Sequence, residues 1–271
     1  MDQAAGNIWL ERVVADGFPT VAAVLATRRR VFVVDTLTAP TAAAPLLAKA
    51  EAVAMNGAIT VVNTHAHWDH VYGNAAFADH DIVAHRACRA VLAAQLRGVG
   101  EPAPEPPPEG VPLPTIVFES ALIFHCGDET VHLLHAGGHT PESIVVWLER
   151  ARVLLAGDTL EWPLPCLGES SDLGAWRKTI GKLRALRPKL VIPSHGVPVA
   201  GAGLLDANEA YLGRLDRAGE GDGSVRTGGM FRAEDWVAAG VEVPAVYRNA
   251  HEENLRLAGV TDKVDISDHL G

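Results

Sequence analysis

The residues that most restrict how this chain can fold are those at positions 63–70, which read Asn-Thr-His-Ala-His-Trp-Asp-His. They directly follow a short apolar run that is typical of a buried strand. His65 and His67 alternate in an extended segment and therefore face the same side, where both rings can bind one cation. Asp69 and His70 lie at the following turn and can face a second cation. The segment therefore predicts ligands for two adjacent metal ions at the end of a strand.

Three further candidate ligands each follow an apolar run of the strand type. They are His139 in Gly-Gly-His-Thr, Asp158 in Ala-Gly-Asp-Thr and His195 in Pro-Ser-His-Gly. Each of them alone is a weak signal, because a single interior histidine is more often a hydrogen-bonded core residue than a ligand. Together with the first segment they complete two metal environments. We expect His132 and His135, which lie on the strand before His139, to be ordinary strand residues.

Composition and charge exclude several classes of protein. The chain has 271 residues, with 23 Lys and Arg against 33 Asp and Glu, and its formal net charge of −10 disfavours nucleic acid as a partner. Its apolar runs are far shorter than the roughly 18 residues of a membrane-spanning helix, and its first residues do not resemble a signal peptide. Its three cysteines form no CxxC pattern. These features predict a cytoplasmic protein that acts on a small molecule.

The pattern of apolar residues predicts an α+β fold. Strands are predicted at 8–14, 20–27, 31–35, 59–62, 115–124, 130–134, 143–148, 153–156 and 190–192. Helices are predicted at 41–55, 85–97, 172–186 (with Asp172 as the N-cap) and 204–217. Two sets of strands, each followed by helices, favour a four-layer αβ/βα sandwich of two packed mixed sheets with helices outside. The length favours one domain, residues 1–271, with a helical C-terminal extension at about 203–271.

Two segments have a role that the sequence leaves open. Residues 101–114 include seven prolines, so no regular element can continue through them. This tract is either a lid over the site or a passive linker. The helices from 203 onward either close over a substrate pocket or form the interface of a homodimer.

The order of the motifs resembles the metallo-β-lactamase superfamily of metal-dependent hydrolases. The resemblance runs from Asp35, after an early strand, through Thr-His-Ala-His-Trp-Asp-His and Gly-Gly-His-Thr-Pro-Glu-Ser to Leu-Leu-Ala-Gly-Asp-Thr and Ile-Pro-Ser-His-Gly. It implies two metal sites that share one bridging carboxylate. The ligands of the first metal would be His65, His67 and His139, those of the second Asp69, His70 and His195, and the bridge Asp158.

The same resemblance implies supporting residues. Asp35 occupies the place of an early aspartate that supports the site from behind the ligands, although a residue that caps the turn at Thr36 fits the sequence as well. Thr140 follows a ligand closely enough to hydrogen-bond nearby groups. Trp68, Tyr72, Trp162 and Leu164 are candidates for the apolar wall of a substrate pocket, and they fit equally well as ordinary core residues.

These ligands predict a hydrolytic enzyme. Imidazole and carboxylate donors without thiolate suit zinc, two ions per chain, and iron or manganese fits the same donor types. Two adjacent cations lower the pKa of a shared water and polarise a substrate oxygen, and Asp69 would orient the resulting hydroxide and pass a proton to the leaving group. We therefore expect a dinuclear zinc hydrolase that cleaves an ester, thioester, lactone or amide bond in a small molecule.

Other functions on the same scaffold remain as alternatives. An iron-dependent sulfur oxygenase similar to the persulfide dioxygenases would use only the ligands of the first metal, so the presence of Asp69, His70 and His195 favours the hydrolase. A β-lactamase is disfavoured because no export signal is present. A nuclease is disfavoured by the net charge of −10.

Overall fold

In the computed structural model, which describes residues 1–54, 57–100, 103–220 and 232–260, the N-terminal half of the chain forms a seven-stranded sheet. Its strands lie in chain order: β1 (Asp2–Ala5), β2 (Ile8–Ala15), β3 (Phe18–Ala26), β4 (Arg30–Val34), β5 (Ala58–Val62), β6 (Asp81–His85) and β7 (Ile116–Phe118). Strands β1 to β4 pair antiparallel and β4 to β7 pair parallel, so the sheet is mixed.

Helices connect the parallel strands of this sheet. They are α1 (Pro40–Ala54), α2 (Trp68–Val71), the adjoining 3-10 helix (Tyr72–Phe77) and α3 (Arg86–Gln95). Helix α1 packs its buried residues Ala43, Leu46 and Ala50 against the outer face of the sheet.

The C-terminal half forms a six-stranded sheet in the order β13-β12-β11-β10-β9-β8. The strands are β8 (Ala121–His125), β9 (Thr130–His135), β10 (Ile144–Leu148), β11 (Val153–Gly157), β12 (Leu190–Pro193) and β13 (Val199–Ala200). Only β11 and β12 pair parallel, because α4 (Leu173–Ala185) carries the chain back between them. Then follow α5 (Gly203–Glu220), a 3-10 helix (Ala233–Asp235) and α6 (Ala245–Leu257).

The main apolar core lies between the two sheets. Alternation along β3 places Val21, Ala23 and Leu25 on the face that meets the second sheet, while Ala22 and Val24 face α1. On the outer face of the second sheet, helices α4, α5 and α6 bury large aromatic side chains, which include Trp176, Tyr211 and Tyr247. The layers are therefore helix, sheet, sheet, helix, and the predicted αβ/βα sandwich is confirmed.

The predicted strand at 115–124 is wrong as a single element. The structure breaks it at Glu119 and Ser120 into β7, which pairs with β6 in the first sheet, and β8, which pairs with β9 in the second. Both are edge strands with exposed apolar side chains. Apolar residues therefore lie on both sides of the point where the chain changes sheet, and their pattern does not mark the break. Strands β1, β6 and β13 were not predicted, because their apolar runs are short: two alanines in β1, residues 82–84 in β6 and only two residues in β13.

Other predicted elements agree with the structure within a few residues. Asp172 is the N-cap of α4, where its side chain accepts a hydrogen bond from the Ala175 N–H at 2.8 Å. The predicted C-terminal extension includes α5 and α6, whereas its residues 221–231 and 261–271 lie outside the described residues. Within the described ranges, no helix has the length and apolar character needed to cross a membrane.

The two sheets are joined by backbone hydrogen bonds at one end of the sandwich. The Val21 N–H donates to Ser194 O at 2.7 Å, and the Ile144 N–H donates to Thr64 O at 2.8 Å. Strands β4 and β5 end here in one sheet, and β11 and β12 end here in the other. Because the carboxyl ends of parallel strands meet at one edge, the residues that follow all four strands lie close together.

The core between the sheets should dominate the stability of the fold. We expect Phe32→Ala, which empties a fully buried site in this core, to lower the free energy of unfolding by about 3–5 kcal/mol in urea titrations. The control is Val14→Ala, because Val14 is 76% exposed and its truncation should change stability by less than about 0.5 kcal/mol. Equal effects of the two substitutions would contradict this assignment of the core.

Candidate metal centre

Seven side chains meet where the two sheets are joined, in two adjacent clusters. The first cluster is His65, His67, His139 and Asp158, and the second is Asp69, His70 and His195. Within each cluster the candidate ligand atoms lie within 4.8 Å of one another. The N-terminal half of the chain supplies four of these residues, from the loop after β5 and from α2. The C-terminal half supplies the other three, from the turns after β9, β11 and β12.

The Oδ2 atom of Asp158 lies at the centre of both clusters. It is 3.4 Å from Nε2 of His65 and 3.5 Å from Nε2 of His139, which belong to the first cluster. It is also 3.3 Å from Nε2 of His70 and 3.2 Å from Nε2 of His195, which belong to the second. This carboxylate is therefore placed to contact the contents of both clusters at once.

In four of the histidines Nε2 faces the centre and Nδ1 contacts a protein oxygen. For His65 this oxygen is the Thr64 hydroxyl, 3.0 Å from Nδ1. The Nδ1 atoms of His70, His139 and His195 lie 2.9 Å from Asp35 Oδ2, 3.1 Å from Cys166 O and 3.2 Å from Pro19 O. His67 is turned the other way, because its Nδ1 lies 3.2 Å from Nε2 of His139. A partner on the outer nitrogen fixes the ring and the tautomer of an imidazole ligand.

Charge and burial set the protonation of these groups in two ways. Burial lowers the pKa of His67, and it lowers that of His139 to about 3, so both imidazoles are neutral, the form in which histidine binds metals. Burial also acts on His195, but Asp158 and Asp69 outweigh it and raise the pKa to about 9. Since a protonated imidazole is not a ligand, a cation that binds in the second cluster must displace a proton.

The donor set fits divalent metal ions. His65 Nε2, His70 Nε2 and Asp158 Oδ1 are buried and have no hydrogen-bond partner among the described residues. A buried polar atom without a hydrogen-bond partner raises the free energy of the folded state. Several such atoms close together therefore indicate a site that binds a ligand. Imidazole nitrogen and carboxylate oxygen are donors that divalent transition metals accept. The two clusters are therefore candidate sites for divalent metals.

Asp35 connects the loops that carry the ligands. Its Oδ1 accepts a hydrogen bond from the Thr64 N–H at 2.8 Å, and its Oδ2 accepts one from the Thr64 hydroxyl at 2.8 Å. The same Oδ2 lies 2.9 Å from Nδ1 of His70. Asp35 has a backbone φ of 60°, a conformation that places its side chain toward the adjacent strand end. It thus contacts a candidate ligand directly and also holds the backbone next to His65.

Thr140 lies beside the site without contacting it. Its hydroxyl is 2.8 Å from the Ser143 hydroxyl, and its carbonyl accepts from the Gly138 N–H at 3.1 Å. These bonds close the turn that carries His139. Thr140 thus hydrogen-bonds a nearby group, as the sequence analysis expects, and supports the turn rather than a ligand side chain.

Gly73 allows α2 to approach the end of β4. A Cβ at this position would lie 1.8 Å from the carbonyl oxygen of Thr36, a distance that no side chain could tolerate. The Gly73 N–H instead donates to Leu37 O at 3.0 Å, and the Thr36 N–H donates to His70 O at 2.8 Å. These contacts fix the helix that carries Asp69 and His70.

Two adjoining cavities open onto the clusters. The inner cavity, about 190 Å³, is lined by Phe18, Glu161 and Cys166 together with most of the candidate ligands. The outer cavity, about 470 Å³, is lined by Trp68 and Tyr72 and by residues 98–100 and 103–107. The described part of the proline-rich tract thus forms a wall of the outer cavity. His67, Trp68 and Asp69 line both cavities.

Of the four residues expected in a substrate pocket, the structure places two there and two elsewhere. Trp68 and Tyr72 line the outer cavity. Leu164 does not: it is fully buried in the core between the second sheet and its helices, because the loop after Asp158 turns inward. Trp162 packs against the same core and against Gly196. Their interpretation as ordinary apolar residues fits these positions.

Other histidines remain outside the clusters. His132 lies 3.0 Å from the Glu149 carboxylate, and His135 lies 2.7 Å from Pro141 O. Both histidines lie on β9, the strand before His139, and both have partners outside the clusters. They are therefore ordinary strand residues, as the sequence analysis expects.

Glu161 and Cys166 are residues of the inner cavity that sequence reasoning missed. Cys166 donates its N–H to Glu161 Oε1 at 2.9 Å, while Glu161 Oε2 is buried without a hydrogen-bond partner in the described part of the chain. Burial and the nearby Asp158 raise the pKa of Glu161 to about 8. Burial and Glu161 raise the pKa of the Cys166 thiol, which keeps it protonated. An isolated Glu and Cys carry no motif, so only the three-dimensional structure reveals them.

Two buried asparagines of the C-terminal helices hold this loop. Asn208 of α5 accepts from the Glu161 N–H at 2.9 Å and donates to Glu161 O at 2.8 Å. Asn254 of α6 accepts from the Leu167 N–H at 2.7 Å and donates to Pro165 O at 2.7 Å. The loop between them carries the Cys166 carbonyl that contacts His139, so the C-terminal helices position a candidate ligand from a distance.

Comparison with known sequences identifies relatives. A family profile described as the metallo-beta-lactamase superfamily matches residues 15–195. The metallo-beta-lactamase type 2 of Bacteroides fragilis is 32% identical over 94 residues, which are 32% of this chain and 38% of that protein. The hydroxyacylglutathione hydrolase of Methylococcus capsulatus is 32% identical over 128 residues, 46% of this chain and 43% of that protein. The chain therefore matches less than half the length of these curated relatives.

Solved structures show the same fold. A metallo-beta-lactamase from Pontibacter korlensis superposes with a TM-score of 0.64 at 22% identity, and covers 78% of this chain and 97% of its own. The DIM-1 metallo-beta-lactamase superposes with a TM-score of 0.63 at 20% identity, and covers 79% of this chain and 96% of its own. At these identities the likeness concerns the fold.

The role of Asp35 can be tested through metal affinity. Asp35→Asn tolerates the positive φ but replaces one acceptor oxygen by a donor, so it breaks a contact with Thr64 or His70. We expect zinc affinity to fall by about 10–100-fold in competition with a chromophoric chelator. The matched control is Asp128→Asn, since Asp128 is exposed and still accepts from the Arg28 N–H as an amide. Unchanged affinity in Asp35→Asn would contradict the role given to Asp35.

The asparagine contacts predict an effect at a distance. Asn254→Ala leaves the Leu167 N–H and Pro165 O without partners, which should lower stability by about 1–3 kcal/mol and loosen the carbonyl that contacts His139. We expect one of two bound metals to be removed by chelator at least about tenfold faster. Asn249→Ala, an exposed position on the same helix, is the control. If both variants lose metal at the wild-type rate, the C-terminal helices do not position the site.

Proposed function

The chain belongs to the metallo-beta-lactamase superfamily, and on that premise we propose that it is a dinuclear zinc hydrolase of small molecules. The bond cleaved would be an ester, thioester, lactone or amide. The curated relatives include a lactamase and a hydroxyacylglutathione hydrolase, which supports a hydrolytic reaction. Because the matches cover less than half of those proteins, the reaction is proposed on the geometry of this chain's own site.

The observation that carries the proposal is the position of Asp158. Its Oδ2 lies within 3.5 Å of imidazole nitrogens from both clusters, so the seven side chains form two complete sets of donors with one shared oxygen. A protein with one working metal site has no need to keep Asp69, His70 and His195 buried together. The second cluster therefore favours the hydrolase over a mononuclear sulfur oxygenase.

The proposed ligands follow from the clusters. One zinc ion would be held by His65, His67 and His139, and the other by Asp69, His70 and His195, with Asp158 between them. When bound, two such ions lower the pKa of a water molecule and polarise the oxygen of the bond to be cleaved. The remaining steps depend on the chain's own residues.

Asp69 is the residue best placed to move a proton. It lines both cavities, and its Oδ2 lies 3.4 Å from Nε2 of both His70 and His195. Burial opposes its ionisation, but these two imidazoles hold its pKa well below the ordinary range. The Thr20 hydroxyl donates to the same oxygen at 3.1 Å and fixes its direction. The low pKa keeps Asp69 ionised, so its carboxylate would accept a hydrogen bond from the attacking water and orient it. Transfer of a proton from that water to the leaving group is part of the proposal.

The surroundings of the clusters support a small substrate. The outer cavity, about 470 Å³, is of the size that small ligands occupy, and the inner cavity adjoins it. Trp68, Tyr72 and Phe18 supply aromatic surface to the two cavities. The net charge of −10 supports the expectation that nucleic acid is not a partner. The three cysteines are free thiols, which fits the proposed cytoplasmic location. A homodimer stays a prediction.

The first experiment is the metal content of protein purified without chelator. About two zinc ions per chain would support the proposal and justify a substrate panel of thioesters, lactones, β-lactams and phosphodiesters. One iron per chain would favour sulfur oxygenation instead. Protein that binds no zinc even when zinc is supplied would contradict the proposal.

A substitution tests the ligand set directly. We expect His139→Ala to reduce metal content from about two ions to about one, and to reduce hydrolysis at least about 1,000-fold, because a catalytic cation loses a ligand. The control is His125→Ala, since His125 is exposed on an edge strand and lies outside both clusters. Normal turnover by His139→Ala, with normal metal content, would show that the site is assigned wrongly.

A further inference from the structure

The cavities beside the clusters carry acidic and aromatic side chains but no basic ones. Among the described residues that line the inner and outer cavities, none is a lysine or arginine. Apart from the candidate ligands, the acidic side chains there are Asp16, Glu105 and Glu161. A site for a phosphate or carboxylate group is normally built with arginine or lysine. The walls of these cavities therefore disfavour a substrate with an anionic tail.

Glu161 differs from the other two acids because it is buried. It is 1% exposed, whereas Asp16 and Glu105 are exposed at the rims. Its Oε1 accepts the Cys166 N–H, but its Oε2 has no hydrogen-bond partner within the described residues. A buried carboxyl oxygen without a partner is costly unless a ligand or water supplies a donor. Because Glu161 lines the inner cavity, a substrate bound in that cavity can supply the hydrogen-bond donor that Oε2 needs.

Aromatic rings complete this environment. Trp68 and Tyr72 contact each other with ring centroids 6.2 Å apart at 61°, and Phe18 lines the inner cavity beside Glu161. Electron-rich aromatic faces attract ammonium groups, and more strongly where the contact is shielded from water. A carboxyl oxygen accepts an N–H bond in either protonation state, and a bound ammonium group favours the carboxylate.

We infer that the substrates of this site carry an amine, and that Glu161 binds this amine while the scissile bond lies at the metal clusters. The inference rests on the proposed hydrolase function and adds a substrate class to it. Glu161 acts as a specificity residue in this assignment. Its loss should therefore change which substrates are preferred.

A set of three thioacetates with leaving groups of similar size tests the inference. Their thiols are dimethylaminoethanethiol, which is cationic and has one N–H donor, isopentanethiol, which is neutral and nearly isosteric, and mercaptopropionate, which is anionic. For the zinc-loaded enzyme we expect kcat/KM to be at least about tenfold higher for the cationic thioester than for the neutral one, and lowest for the anionic one. Preference for the anionic thioester would overturn the inference.

Glu161→Gln provides the decisive variant. The amide keeps an acceptor for the Cys166 N–H but cannot form an ion pair, so we expect the preference for the cationic thioester to fall about tenfold. The readout is the ratio of kcat/KM for the cationic and the neutral thioester within each variant, because a general effect of the substitution on hydrolysis acts on both substrates and cancels in that ratio. The matched control is Glu119→Gln, because Glu119 is an exposed carboxyl outside both cavities. An unchanged preference in Glu161→Gln would show that Glu161 only holds the loop.

A binding measurement separates this inference from the proposed function. If none of the three thioesters is hydrolysed, the proposed thioester hydrolysis fails, and the inference is judged by binding of the unreactive alcohols dimethylaminoethanol, isopentanol and hydroxypropionate. Their affinities are read from quenching of Trp68 fluorescence, with Trp68→Phe as the blank. Tighter binding of the amine that is lost in Glu161→Gln supports the inference. Equal binding of all three alcohols overturns it.

Discussion

The carboxylate of Asp158 lies among four imidazoles. The position of each imidazole depends on the protein oxygen that contacts its outer ring nitrogen. Polar groups buried at the end of a β-sandwich are costly unless their hydrogen bonds are satisfied. Here Asp35, the Cys166 carbonyl and the Pro19 carbonyl contact the outer nitrogens of His70, His139 and His195. The site therefore consists of an inner set of donors and an outer set of protein oxygens that orient them.

This arrangement also explains how the two halves of the chain depend on each other. The backbone bonds from Val21 to Ser194 and from Ile144 to Thr64 join the sheets next to the ligands. The helices at the C-terminus extend this dependence, since Asn208 and Asn254 bind the backbone of the loop after Asp158. A substitution in α5 or α6 can therefore alter the position of His139, because Asn208 and Asn254 hold the loop whose Cys166 carbonyl contacts this histidine.

The sequence predicts most of the fold and the identity of the clustered side chains, because both follow from local patterns. A dense segment such as residues 63–70 is recognisable by itself, and strand ends of parallel strands meet by geometry. Three features could not be predicted. The break between β7 and β8 occurs within a continuous apolar run. For Leu164 the sequence fits a pocket wall and a core equally well, and only the packing of distant helices decides for the core. Glu161 belongs to no sequence motif. It stands out only in the structure, where its Oε2 is buried without a hydrogen-bond partner among the described residues.

The proline-rich wall of the outer cavity has a consequence for the thermodynamics of substrate binding. Residues 103–107 include three prolines, whose backbone φ angles are fixed by their rings. A wall of this kind has little conformational entropy to lose when a ligand covers it, whereas a wall of long flexible side chains would lose about 0.5–1.5 kcal/mol for each side chain that became ordered. A ligand of the outer cavity would therefore meet a wall whose shape exists before the ligand arrives, and a ligand that does not match this shape would gain little from adaptation of the wall.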